Sequence, residues 1–265
     1  MQMNKAVTLC ALLLGFQLAA GQGVLGAEPA MKPELLTAPN VAGIFLIYQV
    51  DPSWVKASPE TRERAVTAAK AILSSQPDKV LVQGFLTRGL TPGADFMLSL
   101  HSKEATLAQA KINKLIKSEF GSYLREKGAF VGMTGALKYI HKNPGLLKGL
   151  KAGKYDDPTP KYALMLPVKK TAEWWNLPFD ERLEMIEKHT VPAMDYLKTV
   201  NRKLYHTTGL GDYDFLTFFT CARPMQFNEL VIKLRSVQEG KYTTYGNPVI
   251  LGTVQTLESL FNALK

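Results

Sequence analysis

The chain has 265 residues, 46% of them hydrophobic and 21% charged, with a formal net charge of +9. That length holds one large domain or two small ones, and the apolar share excludes wholesale disorder. The positive excess can draw in anions, small or polymeric, but scattered Lys and Arg also simply keep a protein soluble, and charge alone favours that plainer reading.

Residues 1–27 read as a secretory signal peptide. Met1 to Lys5 carry one positive charge, Ala6 to Ala20 are almost wholly apolar, and small residues lead to Gly26-Ala27. This order marks export rather than structure, and the apolar run is too short for a membrane span. Cleavage is expected after Ala27, with Ala20 as the alternative, which places the mature protein in the periplasm. Cys10 leaves with the signal. Cys221 then remains alone and cannot form an internal disulfide; it reads as a packed or edge residue beside a strand, since no nearby His suggests a base.

Residues 28–40, with Pro29, Pro33 and Pro39, form an extended leader. Val41 to Val50 is rich in β-branched and aromatic residues and predicts a strand. Ser58-Pro59 opens a helix that runs to about Ser75. Lys79 to Thr87 and Ala94 to His101 are two further strands, and a helix covers about Lys103 to Lys127. Asn143 to Pro160 is a Pro- and Gly-rich linker. The order then repeats. Lys161 to Lys170 is a strand. Phe179 to about Leu204 is helical, interrupted near Pro192, and carries both His189 and Arg202. Asp212 to Phe219 is a strand, Met225 to Val237 a helix and Val249 to Val254 a last strand.

One local match supports the repeat. Thr87-Arg88-Gly89-Leu90, followed by Asp95-Phe96, echoes Thr207-Thr208-Gly209-Leu210, followed by Asp214-Phe215, 120 residues on. The expected fold is therefore α+β, with two ferredoxin-like repeats, 41–142 and 161–265, forming a dimeric α+β barrel within one chain. Such sheets carry their helices on one side and leave room for a pocket.

Four histidines are present: His101, His141, His189 and His206. On the helix, Phe179, Leu183 and Ile186 share one face and Met185 and His189 an adjoining one, so His189 can turn inward. Taken alone, a satisfied, partly buried His is the default. No second His or Cys stands at chelating spacing, which argues against zinc. A haem asks for only one axial imidazole. Trp174-Trp175 reads as core packing or as the wall of a flat aromatic cofactor. Arg202 reads, without context, as a surface charge of the pair Arg202-Lys203. His206, Asp212 and Asp214 read as turn residues rather than catalytic ones.

At family level the sequence resembles the chlorite dismutases. The runs that carry the resemblance are P-V-K-K-T-A-E-W-W, E-K-H-T, V-N-R-K-L-Y-H-T-T-G-L, D-F-L-T-F-F, V-Q-E-G-K-Y and G-N-P-V-I-L-G-T-V, with G-I-F-L-I-Y-Q-V, F-L-T-R-G-L and A-D-F-M-L-S-L in the first half. It spans about Ala38 to Leu264. It implies a haem b enzyme that converts chlorite to chloride and dioxygen, forming the O–O bond at the haem iron.

Carried over residue by residue, His189 resembles the axial iron ligand. Glu239 resembles the carboxylate behind it, and Lys170 that carboxylate's cation. Arg202 resembles the catalytic distal arginine. Trp174 resembles the tryptophan beside the haem edge, and Trp175 a neighbour towards a subunit contact. Thr217 and Phe219 resemble distal lining, and Tyr139 a propionate partner. The full-length first half is similar to the long, typically pentameric lineage. The chain departs from the pattern at Gly211, where Asp is usual, at Thr220, where Glu is usual, and at Cys221 to Pro224. The alternative is an exported haem-binding or peroxidase-like relative without chlorite activity. Neither nucleic acid nor a membrane span is implied.

Overall fold

The computed structural model describes residues 38–136, 160–196, 198–247 and 249–265, together with residues 35, 144 and 145. The signal peptide, most of the leader, nearly all of the linker, His141 and Tyr139 lie outside them. In the first half, β1 (Ala42–Val50) leads to helix α1 (Pro59–Ser74), strands β2 (Leu81–Leu86) and β3 (Phe96–Ser102), helix α2 (Ala105–Ile116) and strand β4 (Leu124–Met133). In the second half, β5 (Tyr162–Lys170) leads to α3 (Ala172–Asn176), α4 (Phe179–Thr190), β6 (Val200–His206), β7 (Phe215–Cys221), α5 (Pro224–Arg235), β8 (Thr243–Tyr245), β9 (Ile250–Gln255) and α6 (Leu257–Leu264).

The strand order is β7-β6-β4-β1-β3-β2-β9-β5-β8, and β5 also pairs with β7. That extra pairing closes the sheet into a barrel, with β8 as a short flank. All named pairings are antiparallel. Within each half the spatial order is fourth, first, third, second strand, the ferredoxin-like arrangement. The halves meet through β2 on β9 and a single β4–β6 bridge, Met133 to His206. The predicted architecture is thus present.

The repeated turn shares its closing main-chain bonds in the two halves. Thr87 N–H donates to Asp95 O at 2.9 Å and Thr207 N–H to Asp214 O at 2.9 Å. Gly89 and Gly209 both stand at φ +78°, a left-handed conformation that glycine adopts without a Cβ clash. A helix N-terminus shows equal sequence logic: Ser58 caps α1 by accepting from Thr61 N–H, with Pro59 at the first helical position.

Two stretches differ from their sequence reading. The helix expected to reach Lys127 stops at Ile116, and Leu124–Met133 is strand β4. Its charged alternation, L-R-E-K-G-A-F-V-G-M, hides a strand because many of its side chains face solvent; pairing with β1 along its length decides the conformation. The helix expected to carry Arg202 ends at Thr190, a 3₁₀ turn covers Val191–Tyr196, and Arg202 lies on β6. Pro192 interrupts the ladder, and β7 needs a partner that Val200–His206 supplies. Cys221 is the last residue of β7 and is buried. Strand β8 and helix α6 had no counterpart in the sequence reading.

Side chains alternate across the barrel wall. Phe45, Ile47, Phe85, Met97, Met165, Tyr205 and Phe218 form one core, each removing about 1.5–3 kcal/mol of apolar surface from water. Inside it, His101 Nε2 meets the Tyr205 hydroxyl at 2.6 Å across the two halves. Burial, aided by Lys203, pushes His101 down to about 3, so it is neutral. Burial alone pushes Lys203 down to about 7. No described residue hydrogen-bonds its amine, which lies 5.5 Å over the Tyr205 ring.

This has a pH consequence. From about pH 7 to the ordinary lysine value of 10.5 the unfolded chain binds a proton that the folded chain does not. Stability therefore rises with pH across that window. Lys203→Met is expected to stabilise by about 1–3 kcal/mol below the window, after allowing for water at the amine, and by progressively less through it. Thermal melts over this range check it; a gain that is flat with pH contradicts it.

Candidate active site

A cavity of about 310 Å³ lies between β5–β7 and the helices of the second half. That volume falls in the range of small-molecule and cofactor sites. The strands present alternate residues to it: Leu166, Val168 and Lys170 from β5, Arg202 and Leu204 from β6, and Phe215, Thr217 and Phe219 from β7. Register places them side by side, since Arg202 opposes Phe219 and Leu204 opposes Thr217. Thr171 caps the short helix α3 by accepting from Trp174 N–H at 3.4 Å, which sets Trp174 at the cavity wall.

His189 sits in the last turn of α4. Its Nδ1 contacts Glu239 Oε2, and Lys170 Nζ contacts Glu239 Oε1. The 3₁₀ turn Gln238–Tyr242 delivers Glu239, and Thr243 ties it down: its hydroxyl donates to Glu239 O at 3.0 Å and accepts from Lys170 Nζ at 2.8 Å. The Lys170 ammonium also lies 4.5 Å over the Trp174 ring. Both Lys170 and Glu239 are 7% exposed. Burial would raise the Glu239 carboxyl, but His189 and Lys170 outweigh it and bring it down to about 2. Burial pushes His189 below its ordinary value, against the opposing pull of Glu239, so the imidazole is neutral. A neutral ring that donates from Nδ1 keeps its Nε2 lone pair for the cavity.

Arg202 is half-buried at the cavity wall, and the burial lowers its affinity for the proton, with Glu239 and Tyr245 acting in the opposite sense. No hydrogen bond or ion pair to a described residue ties its guanidinium. An always-charged fork left unpaired at a cavity wall is costly unless an anion meets it. Trp175 and Phe179 stand at the mouth, 41% and 55% exposed, with Arg182 over both rings at 5.5 and 5.7 Å.

Seven of the expected residues therefore converge here: His189, Glu239, Lys170, Arg202, Trp174, Thr217 and Phe219. Tyr139 lies outside the described residues. Thr243, Tyr245 and Arg182 were not foreseen. Each is an ordinary polar residue in a loop, short strand or helix, and only the fold brings it to the cavity.

The internal repeat shows how the cavity arises. At the places of Lys170, Trp174, His189, Arg202, Thr217 and Glu239, the first half has Val50, Trp54, Ala69, Val82, Leu98 and Phe120. All six belong to, or pack against, the first-half core. Helix α6 adds Leu260, Phe261 and Leu264 to that core, and Trp54 Nε1 donates to Leu264 O at 2.6 Å. The same scaffold is filled in one half and hollow and charged in the other.

An α+β barrel whose pocket joins a histidine–carboxylate–lysine relay to an arginine without an ion pair among the described residues has the donor set for a porphyrin iron and a small anion. The sequence profile of the chlorite dismutase family matches residues 62–255. The chain is 40% identical over 239 residues to a chlorite dismutase from Ideonella dechloratans, covering 89% of this chain and 84% of that one. A solved variant of the chlorite dismutase from Candidatus Nitrospira defluvii superposes with a TM-score of 0.84 at 33% identity, covering 87% of this chain and 98% of that one. The coproheme decarboxylase of Mycolicibacterium smegmatis is 24% identical over 225 residues, 83% of this chain and 93% of that one. This chain belongs to the chlorite dismutase family.

Proposed function

We propose that this protein binds haem b through Nε2 of His189 and decomposes chlorite to chloride and dioxygen, with Arg202 acting on the oxyanion. One observation carries the reading: the same cavity holds a neutral histidine backed by a buried carboxylate and an arginine that no described residue hydrogen-bonds or ion-pairs. The residues fit the group. Trp174 and apolar strand residues wall the space, and the imidazole is already fixed in the tautomer a metal needs.

When bound, the haem iron supplies the centre at which oxygen is transferred and the O–O bond forms. The chain supplies the rest. Glu239 accepts from His189 Nδ1–H and so makes Nε2 a stronger donor. Lys170 keeps Glu239 ionised. Leu166, Val168, Phe215 and Phe219 keep water from the pocket, where charges then act more strongly. Arg202 draws chlorite in and keeps its fragments together until both oxygens leave as dioxygen, a proximity effect. Tyr139 would meet a propionate.

The 40% likeness to the Ideonella dechloratans protein supports this reading over the 24% likeness to the decarboxylase. An oxygen electrode tests it. Purified holoprotein is expected to evolve oxygen when chlorite is added. A haem-loaded protein that evolves none is a carrier, and release of carbon dioxide from iron coproporphyrin instead would assign the other activity.

Export and assembly complete the proposal. Cleavage after Ala27 would give a periplasmic protein starting at Glu28, which the intact mass of the exported protein checks. We expect a homopentamer, supported by the resemblance to the long lineage and by the exposed apolar Trp175 and Phe179. Light scattering should report five copies; a monomer at micromolar concentration contradicts it.

A further inference from the structure

We infer that Asp214 is a positioning residue for the relay behind His189: it holds the main chain of Lys170 and sets how strongly that lysine draws on Glu239. The inference rests on the haem reading above.

Asp214 is 9% exposed, and its Oδ2 accepts from Lys170 N–H at 2.7 Å. Its own N–H donates to Val168 O at 2.9 Å. The end of β5 is thus pinned on both sides of Lys169, and the Lys170 side chain leaves from a fixed point towards Glu239. The first half contains the same device. Asp95 Oδ2 accepts from Val50 N–H at 2.8 Å, and Asp95 N–H donates to Tyr48 O at 2.8 Å. As a way of joining a turn to a strand end, the two aspartates are equivalent.

They differ in where their charge goes. Arg88 Nε donates to Asp95 Oδ1 at 2.6 Å and neutralises it at the surface. The second half has Thr208 in place of Arg88, and its hydroxyl donates to the Asp214 main-chain oxygen at 3.2 Å instead. Among the described residues no side-chain cation forms an ion pair with Asp214. The cation it acts on is Lys170: burial lowers that lysine's affinity for the proton, and Glu239 and, more weakly, Asp214 oppose the shift. Lys170 is therefore bracketed by two carboxylates, one on the relay and one outside it.

Removing the outer charge has a definite sign. Lys170 would pull harder on the Glu239 carboxylate, which would become a weaker acceptor for His189 Nδ1–H. The imidazole would then carry less anionic character and stabilise ferric iron less. The Fe(III)/Fe(II) midpoint potential should rise, and the ferrous Fe–His stretching band should move to lower frequency.

Two variants of the holoprotein test this by resonance Raman and spectroelectrochemistry. Asp214→Asn keeps an oxygen that can accept from Lys170 N–H but removes the charge. Thr208→Arg leaves Asp214 in place and supplies the neutralising arginine that the first half already has; Thr208 is exposed, so the fold tolerates it. Both are expected to shift potential and band in the stated directions. Asp95→Asn is expected to lower the melting temperature and leave both readouts at wild-type values. In a Lys170→Met background the Asp214→Asn shift should largely vanish, because the charge acts through the lysine. Unchanged readouts in both second-half variants, or an equal shift in Asp95→Asn, would overturn the inference while leaving the haem reading intact. A wild-type protein without an Fe–His band would remove the haem reading itself, and the inference with it.

Discussion

Arg202→Ala is expected to keep its haem and its fold and to lose about 10²–10³ in turnover on chlorite, the usual cost of removing one preorganised charge-stabilising donor. The fold should survive because the guanidinium makes no hydrogen bond or ion pair to a described residue, so truncation leaves no partner stranded. The β6–β7 ladder that holds position 202 opposite Phe219 is made by the main chain. Removing a half-buried charge that no described residue ion-pairs should even be neutral or slightly stabilising in the absence of substrate. The loss appears only when an anion must be held. More hypochlorite should then escape, to be caught by a chlorine scavenger, and the enzyme should inactivate sooner. Arg202→Lys should recover only part of the activity, because an ammonium keeps the charge and loses the planar fork. Turnover, oxygen yield per chlorite and trapped hypochlorite, measured on wild type and both variants, check this. Wild-type rate and yield in Arg202→Ala would make the residue a bystander.

His189→Ala should lose five-coordinate histidine-ligated haem altogether. No other described histidine lines the cavity. His206 lies at the end of β6 against Phe215 and next to Gly135, and His101 is locked inside the barrel against Tyr205. The truncation would also strip Glu239 Oε2 of its His189 donor while leaving the Lys170 pair intact, and a buried acceptor left unsatisfied typically costs about 1–3 kcal/mol. Haem content, the Soret spectrum and the melting temperature of the apoprotein report the two effects separately. An unchanged Soret band would contradict the assignment and make His206 the next candidate.

The fold was readable where pattern and turn chemistry agreed. Val41 to Val50, rich in β-branched and aromatic residues, and the largely apolar run within Lys161 to Lys170 lie in a barrel wall and stand where expected. The T-x-G-L…D-F repeat exposed the two halves because the turn needs glycine at φ +78° and an aspartate to fasten the neighbouring strand. What could not be read was set by tertiary pairing. Strand β4 looks helical because its exposed half is charged, and β6 reads as a helix because it follows one closely. Sequence alone thus puts Arg202 on the wrong element: the register with β7 sets its neighbours at the cavity wall, and its role is what the resemblance implies. From residues alone, His189, Trp174 and Arg202 each had a plainer reading as core or surface. No periodicity reveals that a buried Glu from a 3₁₀ turn fifty residues later meets that His. Asp214 was legible as a turn former only; its link to Lys170 needs the strand pairing.

The central claim is that this pocket keeps both fragments of one chlorite ion until the O–O bond has formed. Chlorite labelled with ¹⁸O, added to wild-type holoprotein in unlabelled water, tests that most directly, with the evolved gas read by mass spectrometry. Dioxygen carrying two ¹⁸O atoms, one molecule per chlorite consumed, is the expected result. Dioxygen with one or no labelled atom, or chlorite consumed without oxygen, would contradict it.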